Sequence, residues 1–213
     1  RSYAMAPKYG GIAKVFVALD EQINDISKLT NDLAVAGGVF ADNPVSPNVI
    51  NLYVLGYNQY KKLVPLNSEV KKNLKIYLDT YRMLTDEIHI IDGFVVNIGV
   101  DFRIVVYNNY NMNEVLARCI GAIKEFFNID KWDINQPIIL NDLTMEIAQI
   151  DGVQTISDVT VFNRYAHKDG SDYENYLYDI ESATENGIVY PSTDPMIFEC
   201  RYPERDIIGH SSQ

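Results

Sequence analysis

The apolar pattern of residues 94–106 changes character half-way along. Phe94 to Val100 is apolar apart from Asn97 and Gly99, whereas Phe102, Ile104 and Val106 alternate with Asp101, Arg103 and Val105. Period-two alternation predicts a strand with one buried face. Asn111, followed three residues later by Glu114, nearly matches a capping box and predicts a helix start. Leu116, Ile120, Ile123 and Phe127 then recur at helical spacing, a stripe along about three turns. Pro137 to Leu140 predicts a short strand, and Asn141 the cap of a shorter helix with Leu143, Ile147 and Ile150 on one face. Gly152 is placed to end that helix in a left-handed turn. Val153 to Phe162 predicts the next strand. Its alternation changes phase between Ile156 and Val159, which puts a bulge near Ser157-Asp158. Strand, helix, strand, helix, strand is the order of a small α/β sandwich with helices on one face of a sheet.

The preceding residues repeat this architecture without repeating the sequence. Ile12 to Leu19 predicts a strand, and Gln22 to Leu33 carries Ile23, Ile26 and Leu29 at helical spacing. Gly37-Gly38 and the Pro44–Pro47 stretch break structure, so 36–48 reads as an exposed loop. In Val49 to Tyr57, Ile50, Leu52 and Val54 alternate with Asn51, Tyr53 and Leu55, again a strand. After Pro65 a helix is predicted, capped by Asn67 or Ser68, with Val70, Leu74, Tyr77, Leu78 and Tyr81 along one side. Glu87 to Ile91 is a third strand, and Asp92-Gly93 marks a tight turn. The fold class expected is α/β (α+β): two small sheet-plus-helix modules in tandem, 1–91 and 92–163, followed by an irregular C-terminal arm, 164–213.

The arm has no sustained periodicity. Asn186-Gly187 signals a hairpin turn, and Met196-Ile197-Phe198 is a short apolar piece in a segment with three prolines. Tyr165, Tyr173, Tyr176, Tyr190, Phe198 and Tyr202 are the candidate protein-interface residues, because exposed aromatic side chains anchor protein contacts. The alternative is that they pack onto their own module.

Composition narrows the function. A net charge of -11 argues against binding nucleic acid through a general phosphate-neutralising surface. The densest basic group, Lys71, Lys72 and Lys75, reads as the solvated face of a helix. No apolar run approaches the roughly 18 residues that span a bilayer, so no membrane partner is expected. A chain opening on Arg1 rather than Met reads as a piece of a longer polypeptide. Cys119, beside the helical stripe, reads as a small buried hydrophobe, and with Cys200 it forms neither a disulfide framework nor a metal motif.

Chemistry has few candidates. His89, His167 and His210 are far apart in sequence. Glu87 and His89 share a strand face at ~7 Å, but a metal site needs further ligands and Asp92 would point the other way. The pair reads as a solvated face. Asp101 and Arg103 read as an exposed ion pair. No linear nucleophile, phosphate-cradling or dinucleotide motif is present, and Glu146 with Asp151 is one of many acidic pairs. No catalytic residue, metal or cofactor is expected.

One resemblance adds to this reading. The segment QPIILNDLTMEIAQIDGVQTISDVTVFN, residues 136–163, ends in short strand, L-x-x-x-I-x-x-I-D-G-V, strand. It resembles the C-terminal part of baseplate J-like proteins of contractile phage tails. Residues 1–20, 49–58, 70–107 and 191–212 in turn resemble baseplate wedge subunits of T-even-like phages. The resemblance implies a structural subunit without catalysis, located in the virion tail baseplate and assembled in the host cytoplasm. It further implies homodimer or ring contacts between copies, contacts with other wedge proteins around the hub, and rearrangement on tail contraction. The competing expectation is a carbohydrate-binding or carbohydrate-cleaving module, with tyrosines as stacking platforms beside acidic residues. A cleft lined by tyrosines and paired carboxylates would favour it.

Overall fold

The computed structural model describes residues 11–19, 49–81, 87–165 and 173–212. The helix expected at Gln22–Leu33, the loop expected at 36–48 and His167 lie outside them. The fold is α+β, as expected. The chain divides into two compact units, Arg1–Gly93 and Phe94–Gln213.

In the first unit, β2 (Val49–Tyr57) is central. It pairs antiparallel with β1 (Lys14–Leu19) and with the short β3 (Leu63–Val64), and parallel with β4 (Glu87–Asp92). Parallel neighbours need a crossover, and α1 (Ser68–Asp79) lies on it, with Asn67 capping through Oδ1 to the Glu69 N–H at 3.2 Å. Leu74 is the residue of the expected stripe that becomes buried; it packs with Val54, and Leu52, Leu66, Tyr77, Leu78 and Ile90 close round them. Tyr81, expected on that stripe, is exposed. β2 departs from strict alternation: Tyr53, Val54 and Leu55 are buried in succession, so both faces are covered there. Lys71 does not belong to a purely solvated face, because its Nζ lies 2.5 Å from Asp92 Oδ2, while Asp92 Oδ1 accepts the Leu66 N–H.

The second unit is built on β5 (Phe94–Val106), as long as the sequence pattern required. Its apolar first half is buried on both faces and its alternating second half on one. β7 (Val153–Asn163) runs antiparallel beside it. The register slips between Arg103↔Asp158 and Ile104↔Ile156, leaving Ser157 unpaired, so the bulge sits where the phase change predicted it. Between the two strands come α2 (Met112–Phe126), capped by Asn111, and α3 (Leu140–Ala148). On α2 the buried positions are Val115, Cys119 and Ile123, with Phe127 just beyond. The stripe is therefore turned by one residue from the expected one, and Leu116 and Ile120 lie at its half-buried margin. Cys119 is buried, as read from its place beside the stripe.

Two expectations for α3 change. Its N-cap is Ile139, without a side-chain bond, and the Leu140 N–H instead donates to Gly187 O at 2.9 Å. Asn141 is thus inside the helix. β6 (Ile138–Ile139) does not join the β5 sheet; it pairs with β9 (Ile188–Val189), which pairs with β8 (Thr184–Glu185). The hairpin β8–β9 turns at Asn186 and Gly187, both with positive φ (53° and 78°), the turn that Asn-Gly signals.

The expected arm is structural. β10 (Met196–Glu199) runs parallel to residues 94–97 of β5, and β11 (Ile207–Ser212) parallel to residues 100–105, with the one-turn α4 (Pro203–Asp206) between them. Short apolar segments without periodicity of their own are what a pre-formed parallel edge can accept. Gly209 allows this: a Cβ there would lie 2.5 Å from the Phe102 ring and 2.7 Å from Leu116.

Candidate functional site

The six aromatic residues expected at an interface divide. Phe198 is only 2% exposed, in β10 against the Tyr178 ring, and is withdrawn from any contact surface. Tyr176 is half-buried, its ring 5.3 Å from that of Phe94. Tyr173 and Tyr202 meet edge-on at 5.5 Å, and the Arg205 guanidinium covers both rings at 4.8 and 4.7 Å. Tyr165 and Tyr190 stay exposed, at 39% and 46%. Folding thus recruits four of the six to the packing of their own unit.

Tyr173 and Tyr202 belong to a buried polar latch that sequence reasoning missed. Its centre is Asp206, fully buried at the end of α4. The Tyr173 hydroxyl donates to Asp206 Oδ1, and the Tyr202 N–H donates to Oδ2 at 3.0 Å. Arg164 and Arg205 approach Oδ1 with their Nε atoms at 3.6 and 3.8 Å. Burial, then the bond to Asp206, pushes the Tyr173 phenol up to about 12. A second knot lies at Asn97, also buried. Its Nδ2 donates to Glu199 Oε2 at 3.0 Å and its Oδ1 accepts the Glu174 N–H at 2.8 Å. Arg201 Nη1 donates to Glu174 Oε1 at 3.2 Å. The knots tie β10, α4 and the segment after Tyr173 to β5 and the end of β7. Every charge in them faces an opposite one or a hydrogen-bond partner, which is how buried ionic groups are tolerated. One signal was present in the sequence: Asn97 interrupts the apolar run of β5, and a polar residue there needs a buried partner.

The expected chemical groups are placed as follows. His89 Nε2 lies 2.9 Å from Glu87 Oε1 on an exposed face, with Asp92 turned toward Lys71. Asp101 Oδ1 lies 3.6 Å from His210 Nε2 rather than against Arg103, because β11 brings His210 alongside. Among the described residues no three His, Cys, Asp or Glu side chains are grouped to hold a metal ion. No described helix is long and apolar enough to cross a membrane.

No protein-family model and no curated protein matches the chain. Among solved structures it is similar to a chain of the anti-feeding prophage (AFP) baseplate, determined by cryo-electron microscopy with six-fold symmetry applied. The TM-score is 0.44 at 9% sequence identity, over 79% of this chain and 32% of that one. The chain therefore spans less than two thirds of that neighbour's length.

The second unit also has an open cleft of about 440 Å³ between the β5–α2 loop and the α3–β7 turn. Tyr107, Asn109 and Tyr110 form one wall, and Gln149, Asp151 and Gly152 part of the other. The walls are clipped together by the Tyr107 N–H, which donates to Gly152 O at 3.1 Å, and Tyr110 N–H donates to Tyr107 O at 3.0 Å. Gly152 has φ +102°, and a Cβ there would lie 2.8 Å from Tyr110 Cδ1, so this glycine provides both the turn and the seat for the ring. The cleft has the tyrosines expected of a carbohydrate site but one carboxylate, Asp151; Glu146 is not in its lining.

Proposed function

We propose that this chain is a structural subunit of a contractile-tail baseplate, a wedge component of the baseplate J-like kind that performs no catalysis. The observation that carries the reading is the order of the sequence segments that resemble baseplate wedge subunits, above all residues 136–163. The fold gives those segments a common purpose. Leu143 and Ile147 are the buried face of α3, which ends at Ala148 with Gln149 as a right-handed cap rather than at Gly152. Gly152, at φ +102°, turns the chain into β7, which returns along β5. A segment matched through packing and turn residues suits a protein whose task is to hold a shape.

In this reading the chain meets other copies of itself, as a homodimer or in a ring, and meets other wedge proteins around the hub, and it rearranges with them when the tail contracts. It works in the virion tail, after assembly in the host cytoplasm, without cofactor, nucleic acid or membrane partner. The exposed Tyr165 and Tyr190 are the contact residues retained from the expected set. The experiment is antibody labelling of contractile tails purified from the organism that encodes the chain. Label at the baseplate end of the tail is expected. Tails that contain no such chain by mass spectrometry would reject the proposal.

A further inference from the structure

We infer that the cleft between residues 107–110 and 148–153 is a binding site for a neutral oligosaccharide. A neutral sugar presents weakly polar C–H faces and a rim of hydroxyls, each of which donates and accepts. Its site needs exposed aromatic faces held in place and side chains of mixed hydrogen-bonding character. Tyr107 and Tyr110 supply the faces, at 48% and 38% exposed. The backbone of both is anchored without a ligand, Tyr107 N–H to Gly152 O and Tyr110 N–H to Tyr107 O, and the Tyr110 ring is seated on Gly152. Rigid aromatics lose little entropy on binding. Asn109 and Gln149 add exposed amides that both donate and accept, and Asp151 adds an acceptor.

The class of sugar follows from charge. The lining carries no Lys, Arg or His, and its one ionised group is the Asp151 carboxylate, in a chain of net charge -11. Uronic and sialic acids are repelled by such a site. The lining also argues against a peptide anchor. Apart from the two tyrosines its apolar members are Ala148, Ile150 and Val153, with Ile150 and Val153 half-buried, so no deep apolar pocket awaits a hot-spot side chain. With a single carboxylate the site binds and does not cleave, since glycoside hydrolysis uses a pair. The inference is independent of the tail role and is tested separately from it.

The test is a titration of the isotope-labelled chain with maltotriose, lactose and triacetylchitotriose, followed by backbone amide shifts. A Kd on the order of 1 mM is expected for so open a site. Shifts should concentrate at residues 107–110 and 149–153 for at least one sugar. Tyr107→Ala should weaken binding by roughly tenfold or more, and Tyr60→Ala, an exposed residue of the first unit, should leave it unchanged. Folding of each variant is checked in the same spectra. No cleft shifts with any of the three sugars would overturn the inference, as would unchanged affinity in Tyr107→Ala. Tighter binding of trigalacturonate than of the neutral sugars would overturn the assigned class.

Discussion

Asp206 has the most exacting surroundings of any residue in the second unit. Its carboxylate is buried, and two hydrogen bonds and two guanidinium groups converge on it. Removing one partner of a buried ionic group costs more than the pair itself contributes, because the remainder stays buried and uncompensated. Asp206→Ala should therefore lower stability by about 3–5 kcal/mol. Tyr173→Phe, which deletes one neutral donor, should cost about 1–3 kcal/mol. Denaturant titration checks both, and equal losses would mean that the hydroxyl and not the charge carries the latch. The thiols and the phenol make a pH prediction. Burial pushes Cys119 from 9 to about 11 and Cys200 to about 12, and Tyr173 rises from 10 to about 12. All three are acids whose folded-state values are raised. Above pH 9 the unfolded chain releases the thiol protons that the folded chain retains, so it binds fewer protons and stability falls as pH rises. The contribution is complete below pH 9 and is lost progressively toward pH 12. Denaturation midpoints in reductant should drop between pH 8.5 and pH 10.5, values chosen to straddle the unfolded thiol range. The Cys119→Ala, Cys200→Ala double variant should flatten much of that drop.

At the scale of elements, helix α2 shows how spacing can be right and phase wrong. Two stripes share Ile123 and Phe127: Leu116–Ile120, expected from the largest side chains, and Val115–Cys119, which the fold buries. Leu and Ile look more apolar than Val and Cys, but α2 contacts both β11 and α3: Leu116 lies over Gly209 of β11 at the margin, while Val115 packs against Gly152 in the turn after α3. Ile123→Ala should cost about 2–5 kcal/mol through lost burial and a cavity, and Ile120→Ala, at the margin, clearly less. Equal losses in chemical denaturation would restore the original stripe. The start of α3 follows the same logic. Asn141 is a good cap by type, but the hairpin carbonyl of Gly187 satisfies the first N–H, so the helix begins two residues earlier.

For the whole molecule, the tail strands determine how association is tested. Deleting residues 186–213 would remove β9, β10 and β11 and strip one side of β5, so a truncated chain reports on folding rather than contact. Substitutions at the exposed tyrosines are the cleaner probe. The chain is expected to self-associate, a dimer being the commonest closed form, and a stable one should bury upwards of ~1,200 Å². Like-charged copies of net charge -11 repel, and salt screens that repulsion. Light scattering over a concentration series should show association that tightens with salt and weakens in the Tyr165→Ala, Tyr190→Ala double variant. A strictly monomeric chain at high micromolar concentration would refute this.

The division between what was legible and what was not follows the range of the forces involved. Local periodicity determined β5, β7 and its bulge, the helices α1 and α2, and the Asn-Gly hairpin, because each rests on contacts within a few residues. The positive φ of Gly152 was legible, since such a turn favours a residue without a Cβ, but its place was not: α3 ends earlier, at Gln149, and the glycine turns the chain into β7. The fate of residues 173–212 was not. Met196-Ile197-Phe198 and Ile207-Ile208 are too short to declare a partner. Only β5, some hundred residues earlier, offers the edge that makes strands of them. The latch at Asp206 and the cleft at Tyr107 were hidden for the same reason. Their parts are far apart along the chain, and only the tertiary structure brings Tyr173 to the Asp206 carboxylate or the loop 107–110 to the turn 149–152.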